Sequence, residues 1–399
     1  MILTGIDVLL DDNKIFGRFK KIGLVSNSRA FCADGRINLD SLAARSANID
    51  CIFSPEHGYF ANIKDGDYIK DGNHPQQNIP ILSLFTETHE RNAVIEAVKC
   101  RGLDAVIFDI QDVGVRFYTY IHALGMAVEA SLKTGVPLFV LDRPNPAGCL
   151  ISEGNISEDE YISELCPFKI PTRYALSIGE LALYLSGEVF AGARLTVIGL
   201  KGGYRRYTPF EKTGLAWPKP SPAMVSSETA LFYPGTCFFE GVNISEGRGT
   251  NAPFQIIGAP FIDSKRALEK FENYRQANCI DNFNYIAADE YDFTPASSKY
   301  ENIVCHGLRL TRMKGAPDNF RALLLGIILL KSFYDASNKK VEFLFSQKSG
   351  RFFIDRLAGC DSLRKTISEG EISDLISLYK SWDEQASRFS AAASKYFLY

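Results

Sequence analysis

Short apolar runs alternate with helix-like segments along the first half of the chain. The runs predict strands at residues 22–26, 49–53, 79–84, 105–110, 136–141 and 195–200. Apolar positions at helical spacing predict helices at residues 39–47, 93–99, 120–133 and 178–185, the last begun by a capping box from Ser177 to Glu180. Strands that alternate with helices are typical of a parallel sheet with helices on both faces. The first half is therefore predicted to be a doubly wound α/β domain.

The pattern changes after residue 200. Gly202 and Gly203 are followed by prolines at positions 209, 218, 220 and 222, which interrupt regular structure. We place a domain boundary there, dividing the chain into residues 1–205 and 206–399. The second part has strand patterns near residues 283–286 and 304–311, an apolar helix pattern at 320–333 and a terminal helix pattern at 372–387. It is predicted to be a smaller α/β domain with a mixed sheet.

Composition narrows the class of protein. The 399 residues are 46% hydrophobic and 23% charged, which is typical of a globular chain of two domains. The net charge is -3 and there is no long basic run, so nucleic acid is not an expected partner. The longest apolar run, residues 323–330, is far short of the roughly 18 residues needed to span a bilayer. We therefore expect no membrane span.

The amino terminus and the cysteines bear on the compartment. No basic residue precedes the first apolar residues, and Asp11 and Asp12 follow them closely, unlike a signal peptide. The nine cysteines form no C-x-x-C pair, and an odd number does not suit a full disulfide framework. We expect a cytoplasmic protein; the alternative is a periplasmic or secreted protein from which a signal peptide has been removed.

The usual nucleotide and serine-hydrolase motifs are missing from the sequence. The first predicted strand ends in Asn27-Ser28-Arg29, without the G-x-G-x-x-G turn of a dinucleotide site. Neither a G-x-x-x-x-G-K-[ST] loop nor a G-x-S-x-G elbow is found. We therefore expect no cofactor.

Polar clusters follow three of the predicted strands. These are S-P-E-H-G at residues 54–58, D-I-Q-D-V-G at 109–114 and D-R-P-N-P at 142–146. Ligands of parallel sheets bind at the carboxyl ends of the strands, and carboxylates, arginines and amides there suit a sugar. Cleavage of a glycosidic bond needs a protonated carboxylic acid and a second group at the oxocarbenium-like centre. Glu56, held between Pro55 and Gly58 at the end of a buried strand, is the best candidate for the acid.

The other polar residues leave alternatives open. His57 either orients Glu56, bonds to the sugar or is structural, and either Asp109 or Asp112 is a candidate second carboxylate. Asp112 lies four residues from Arg116 and is equally suited to pair with it. A rival hypothesis is a metal-dependent hydrolase with ligands from Glu56, His57, Asp109, Asp112 and His122. With few histidines and no H-E-x-x-H motif, we expect no metal.

Four long motifs resemble the exo-β-N-acetylmuramidase family of glycoside hydrolases. They are F-S-P-E-H-G at residues 53–58, F-D-I-Q-D-V-G-x-R-F-Y-T-Y-I at 108–121, L-D-R-P-N-P-x-G at 141–148 and Y-P-G-T-C-x-x-E-G-x-N-x-S-E-G-R-G-T at 233–250. The resemblance implies a Rossmann-like first domain, a smaller α/β second domain and a cleft between them. It also implies release of terminal β-linked N-acetylmuramic acid from peptidoglycan fragments in cell-wall recycling, with Glu56 as the catalytic residue.

The resemblance further suggests the substrate contacts. N-Acetylmuramic acid carries a lactyl carboxylate, which an arginine binds well in two places, and the candidate arginines are Arg116, Arg143, Arg173 and Arg248. The motifs add the candidate substrate-binding residues Gln111, Tyr118, Asn145, Asn243 and Glu246, and the end of the first predicted strand adds Asn27. The partner is then a small carbohydrate, and the oligomeric state stays open. The chain departs from the family's pattern at Tyr59-Phe60-Ala61, at Ala223 and at Tyr174-Ala175, so a non-catalytic muropeptide-binding protein is the alternative function.

Overall fold

The first half of the chain folds around a seven-stranded sheet in the computed structural model, which describes residues 1–12, 18–87, 92–278, 280–281, 283–317 and 320–399. The strands are β1 (Ile22–Ser26), β2 (Ile49–Ser54), β3 (Gly72–Asn73), β4 (Pro80–Ser83), β5 (Ala105–Asp109), β6 (Leu138–Leu141) and β7 (Leu195–Ile198). They lie in the order β3-β4-β2-β1-β5-β6-β7. All pairs are parallel except β3 with β4, so six carboxyl ends share one edge.

Helices cover both faces of this sheet. They are α1 (Gly5–Asp11), α2 (Asn38–Ala44), α3 (Ala93–Arg101), α4 (Tyr120–Thr134) and α5 (Ile178–Glu188). Because side chains alternate across a strand, Val106 and Phe108 of β5 pack with α3, α4 and α5, whereas Ala105 and Ile107 pack with α1 and α2. The predicted doubly wound α/β fold is confirmed.

The second half contains a smaller sheet surrounded by helices. Its elements are α6 (Ser227–Thr236), β8 (Ile256–Ala259), α7 (Ser264–Ala277), β9 (Ile286–Phe293), β10 (Cys305–Arg312), α8 (Ala322–Ala336), β11 (Phe345–Ser346), β12 (Arg351–Phe352), α9 (Phe353–Ala358), α10 (Ser362–Glu369) and α11 (Ile372–Ala393). Strands β8, β10 and β9 form an antiparallel sheet, and β11 pairs with β12 in a hairpin. The sheet is thus antiparallel throughout, where the sequence had suggested a mixed one.

One continuous cluster of buried apolar side chains joins the two halves. It extends from the large sheet through α6 and α8 to α11, and nearly every residue of α8 is buried, as its apolar run predicts. The boundary at residue 205 stays a prediction. Among the described helices, none combines the length and apolar character that a membrane crossing requires.

The last residue of the chain is bound to the large sheet. The Tyr399 hydroxyl donates to the Asp142 carboxylate over 2.6 Å and accepts from the Leu200 amide over 2.7 Å. The same carboxylate accepts from the Ser177 hydroxyl over 2.8 Å at the start of α5, where the predicted capping box is present. Burial raises the pKa of Asp142 to about 6, and the bond from Tyr399 offsets part of that rise. Asp142 therefore links the end of β6 to the start of α5, and Tyr399 extends this hydrogen-bond network to Leu200.

Two glycines allow α6 and α8 to cross closely. A Cβ atom on Gly326 of α8 would lie 2.2 Å from the carbonyl carbon of Gly235 in α6. Alanine is favoured over glycine within a helix by about 1 kcal/mol, so propensity alone would favour alanine here. The close contact between the two backbones instead favours glycine at position 326.

We expect Gly326→Ala to lower the free energy of unfolding by about 1–3 kcal/mol, because the helices must move apart. Urea unfolding followed by circular dichroism measures the change. Ser377→Ala, at an exposed position of α11, is the control and should leave stability unchanged or slightly raised. A Gly326→Ala protein as stable as the unchanged chain would contradict the close crossing.

Candidate active site

The loops that follow β2 and β5 bring the candidate acid to the carboxyl edge of the large sheet. Glu56 stands two residues beyond the end of β2, and Thr119 is the N-cap of α4. The chain turns sharply at His57 and Gly58, whose φ angles are +70° and +73°. A positive φ is costly for histidine and persists only where surrounding contacts impose it. The backbone directly after Glu56 is therefore held in an unusual conformation by its surroundings.

A cavity of about 430 Å³ opens beside Glu56. Its walls come from the loop after β2, the residues that lead into α4, the 3-10 turn Cys237–Gly241, the β11–β12 hairpin and α9. Its ionisable side chains are Glu56, His57, Asp65, Glu164, Glu240, Arg248, Lys348 and Arg356, and its aromatic side chains are Tyr68, Phe85, Phe117, Tyr118, Tyr233 and Phe353. Charged groups and rings from both halves of the chain therefore share one cavity.

Both oxygens of the Glu56 carboxyl group are held. Oε1 accepts a hydrogen bond from the Gly66 amide over 2.9 Å, and Oε2 accepts one from the Thr119 hydroxyl over 2.6 Å. Thr119 begins a helix of 15 residues, so the carboxyl group also lies at the positive end of the α4 dipole. These contacts fix the carboxyl group at the cavity wall in one orientation.

His57 has different partners. Its Nδ1 lies 2.9 Å from the carbonyl oxygen of Ile63, which can only accept, so Nδ1 carries a proton. Its Nε2 lies 3.7 Å from the Asp65 carboxylate. Within the described part of the chain, we find no hydrogen bond from His57 to Glu56. The histidine therefore stabilises the loop that carries Asp65 and Gly66, and acts on Glu56 only through that loop.

Arg248 lies at the centre of a cluster of charges. It contacts the carboxylates of Asp65 and Glu240, each over 2.6 Å, and of Glu246 over 3.1 Å. Lys299 approaches the other oxygen of Glu246 over 2.9 Å. Asp65 belongs to the loop after β2 and the other members belong to the second half. The cluster therefore holds the two walls of the cavity together.

The two glutamates of this cluster have opposite pKa shifts. Burial raises the pKa of Glu240 to about 7, although Arg248 opposes the rise. Burial would also raise the pKa of Glu246, but Lys299 and Arg248 together hold it below its usual value. The two neighbouring carboxyl groups therefore differ in how readily they take up a proton.

Comparison with known proteins assigns the family. A family model described as exo-β-N-acetylmuramidase NamZ, N-terminal, matches residues 22–228, and its C-terminal counterpart matches residues 231–399. The chain belongs to the exo-β-N-acetylmuramidase NamZ family. The resemblance seen in the four sequence motifs is thereby confirmed.

Individual relatives of this NamZ-family chain agree with the assignment. It is 36% identical to the peptidoglycan β-N-acetylmuramidase NamZ of Bacillus subtilis strain 168, over 100% of this chain and 91% of that protein. Two crystal structures of DUF1343 family proteins from Bacteroides fragilis NCTC 9343 are 27% identical to it, with TM-scores of 0.84 and 0.72. Each of these two structural comparisons covers 100% of this chain and 99% of the crystal structure's chain, so the whole fold is shared.

Two of the predicted catalytic carboxylates of this NamZ-family chain lie outside the cavity wall. Asp109 is fully buried, where Arg143 contacts it over 2.6 Å and Asn38 donates to it over 2.7 Å. Asp112 accepts from the Gly114 amide over 2.7 Å and from the Tyr174 hydroxyl, and burial raises its pKa to about 6. Both carboxylates organise the loops of the sheet edge, and their catalytic roles stay predictions.

The rival hypothesis of a metal-dependent hydrolase requires ligands from Glu56, His57, Asp109, Asp112 and His122 to lie together. Across residues 1–12, 18–87, 92–278, 280–281, 283–317 and 320–399, no three histidine, cysteine, aspartate or glutamate side chains are arranged to hold a metal ion.

Three of the four candidate arginines are buried among protein partners. Arg116 donates to the carbonyl oxygens of Asn155, Ile170 and Ala358 over 2.6 to 2.7 Å. Arg173 binds Glu153 over 3.0 Å and the Phe320 carbonyl over 2.8 Å, and Arg143 holds Asp109. These bonds tie loops together, and for Arg116 and Arg173 they tie the two halves together. Only Arg248, of the four, lines the cavity.

The candidate amide side chains also have partners within the protein. Asn27 donates to Tyr120, Gln111 to Asp112 and Pro144, Asn145 to Leu176, and Asn243 to Lys340. Tyr118 does line the cavity, whereas Glu246 lines the neighbouring cleft. The substrate contacts proposed for these residues stay predictions.

Sequence reasoning missed several residues of the cavity. Thr119 and Glu240 both fall inside the quoted motifs, so the motifs held a signal that was not used. Asp65, Glu164, Lys348 and Arg356 lie outside the motifs, and only the fold brings them to the cavity.

We expect Arg248→Gln to lower the free energy of unfolding by about 3–5 kcal/mol, because it leaves buried carboxylates without their cation. Removing the cation raises the carboxyl pKa values of the folded state, so the loss should be larger at pH 8 than at pH 5. Thermal unfolding at both pH values measures the difference. The control is Arg388→Gln, at an exposed position of α11, which should change little. Equal losses at the two pH values would contradict the charge cluster.

Proposed function

We propose that the chain is an exo-acting glycoside hydrolase that releases terminal β-linked N-acetylmuramic acid from peptidoglycan fragments, with Glu56 as general acid. Family membership and the full-length similarity to the Bacillus subtilis β-N-acetylmuramidase support the activity. One observation carries the role of Glu56: its carboxyl group is fixed by Thr119 and Gly66 at the wall of a cavity built from both halves.

The reaction needs proton transfer to the glycosidic oxygen. In this proposal Glu56 donates that proton as the bond to the anomeric carbon breaks, and either water or the acetamido oxygen of the substrate attacks the carbon. A carboxyl group already held in place needs little rearrangement as the bond breaks. Phe117 and Tyr118, although largely buried, contribute apolar atoms to the wall of the cavity.

The β11–β12 hairpin bounds one side of the cavity, which suits the binding of a terminal sugar. Lys348, in the β11–β12 hairpin, contacts the hydroxyl group of Tyr68 in the loop after β2. The hairpin thus reaches across from the second half to the first. A bounded cavity accepts a terminal sugar more readily than the middle of a long glycan, which supports exo action.

Lys348 and Arg356 are the best partners for the lactyl carboxylate. Arg248 already contacts three carboxylates, so its charge is compensated within the protein. Among the described residues, Arg356 has one acidic partner, Glu164, and Lys348 contacts the neutral Tyr68. Positive charge that is less fully compensated than that of Arg248 therefore lies on the hairpin and α9 side of the cavity.

We expect Glu56→Gln to lower kcat on a chromogenic N-acetylmuramide by about 10²- to 10⁴-fold, the usual contribution of a general acid. Gln keeps the shape of the side chain and removes its transferable proton. Thr119→Val, which removes one of the two bonds to Glu56, should cause a smaller loss. Steady-state kinetics measure both changes.

The control for Glu56 is Glu96→Gln, which changes an exposed carboxyl group of α3 and should leave kcat unaltered. Near-full turnover by Glu56→Gln would remove Glu56 from the mechanism. Saturable binding of the muramide by the unchanged chain, with no product released, would favour the muropeptide-binding alternative.

We expect Lys348→Met and Arg356→Met to raise KM for the muramide by roughly 10-fold each, since a hydrogen bond to a charged group contributes about 1.5–3 kcal/mol. The effect on kcat should be smaller, because the lactyl group lies away from the bond that breaks. The matched control is the same substrate with its lactyl carboxylate converted to an amide. If the variants weaken both substrates equally, these cations do not recognise the lactyl charge.

A further inference from the structure

Glu240 is a second carboxyl group in the cavity, contributed by the second half of the chain. It lies in the 3-10 turn Cys237–Gly241, directly after α6. It lines the cavity beside Glu56 and also a neighbouring cleft that contains Glu246 and Lys299. The close crossing of α6 with α8 fixes the turn that carries it. Glu240 is therefore held rigidly at the junction of two clefts.

The contacts of Glu240 leave part of its carboxyl group available to a ligand in the cavity. Oε1 accepts from Arg248 over 2.6 Å, and among the described residues we find no other hydrogen bond or ion pair to this side chain. The side chain is 17% exposed, towards the cavity and the cleft. Glu246 provides the contrast, because it is 1% exposed and its two oxygens meet Arg248 and Lys299. Of the two glutamates bound to Arg248, only Glu240 lines the cavity beside Glu56.

Opposing influences act on the protonation of the Glu240 carboxyl group. The ionisable groups that face it are Arg248, Glu246, Asp65, Tyr233 and Cys237. The cation stabilises the carboxylate form, whereas burial and the two acidic neighbours stabilise the protonated form. Two carboxyl groups with different environments are the usual arrangement of acid and base in glycoside cleavage.

We propose that Glu240 is the second catalytic carboxyl group of the reaction, accepting the proton of the group that attacks the anomeric carbon. This inference rests on the proposed function and on Glu56 as the acid. As the new bond to the anomeric carbon forms, the glycosidic bond breaks and its electron pair stays on the leaving oxygen, which takes the proton of Glu56. The attacking group loses its proton to Glu240, so one proton is given and one is taken.

The attacking group determines the first product. If water attacks, Glu240 takes a water proton and the sugar is released with inverted configuration. If the acetamido oxygen attacks, Glu240 takes the amide N–H proton and a neutral oxazoline forms, which water then opens with overall retention. Proton NMR of the anomeric hydrogen at early times distinguishes these two versions of the same role.

The test begins with the pH profile of the unchanged chain. Because Glu240 must be a carboxylate to accept a proton and Glu56 must be protonated to donate one, kcat/KM should be bell-shaped in pH, with one limb from each group. Glu240→Gln should lower kcat by about 10²- to 10⁴-fold and remove one of the two limbs. Glu240→Asp, which keeps a carboxyl group, should recover part of the activity together with both limbs.

Glu246→Gln is the comparison variant, since it changes the other glutamate bound to Arg248. A purely structural role for Glu240 predicts that both Gln variants lose thermal stability and that both keep the two limbs of the profile. Our proposal predicts that only Glu240→Gln loses a limb. A Glu240→Gln protein that keeps its kcat, or that keeps both limbs, would overturn the role of Glu240 without affecting the hydrolase assignment. An unchanged chain that cleaves no muramide at any pH would instead refute the proposed function.

Discussion

The cavity depends on the guanidinium group of Arg248. This one cation binds a carboxylate from the first half, Asp65, and two from the second half, Glu240 and Glu246. Moving such charges out of water is costly, and the cost is offset only where every charge meets a partner at short distance. Lys299 supplies a second cation, which contacts the oxygen of Glu246 that Arg248 does not. The cluster joins the two walls, and burial within it raises the pKa of one of its carboxyl groups, that of Glu240.

Polar residues at the carboxyl edge of the large sheet stabilise the loops that form this cavity. Its polar residues are mostly bonded to one another: Arg143 to Asp109, Tyr174 to Asp112, and Arg116 to three backbone carbonyls. Buried charges and carbonyls need partners, and these side chains supply them for the loops that leave the strands. The loops become rigid, and the residues carried further out, Glu56 and Thr119, are placed accurately in consequence. The polar residues nearest the strands thus stabilise the loops, and the cavity lies one layer beyond them.

This layering explains what the sequence could and could not predict. Six of the seven strands of the large sheet were predicted because buried parallel strands are continuous apolar runs, and α8 was predicted for the same reason. Strand β3, with two exposed residues, has no such run and was missed. Strand β9, with Asp289, Glu290 and Asp292, was placed only at its first residue, because one exposed face of an edge strand carries little apolar signal. Glu56 was predicted because it follows a strand directly. Lys348 and Arg356 were not, because their place in the cavity depends on contacts between distant parts of the chain.

The hydroxyl group of Tyr399 couples the large sheet to a residue that is distant in sequence. It is bound to Asp142 and to the amide of Leu200, which lie just beyond the ends of the neighbouring strands β6 and β7. The Asp142 carboxylate is fully buried, so water cannot replace a hydrogen bond that it loses. A change confined to Tyr399 would therefore be transmitted to the carboxyl ends of two strands in the first half of the molecule.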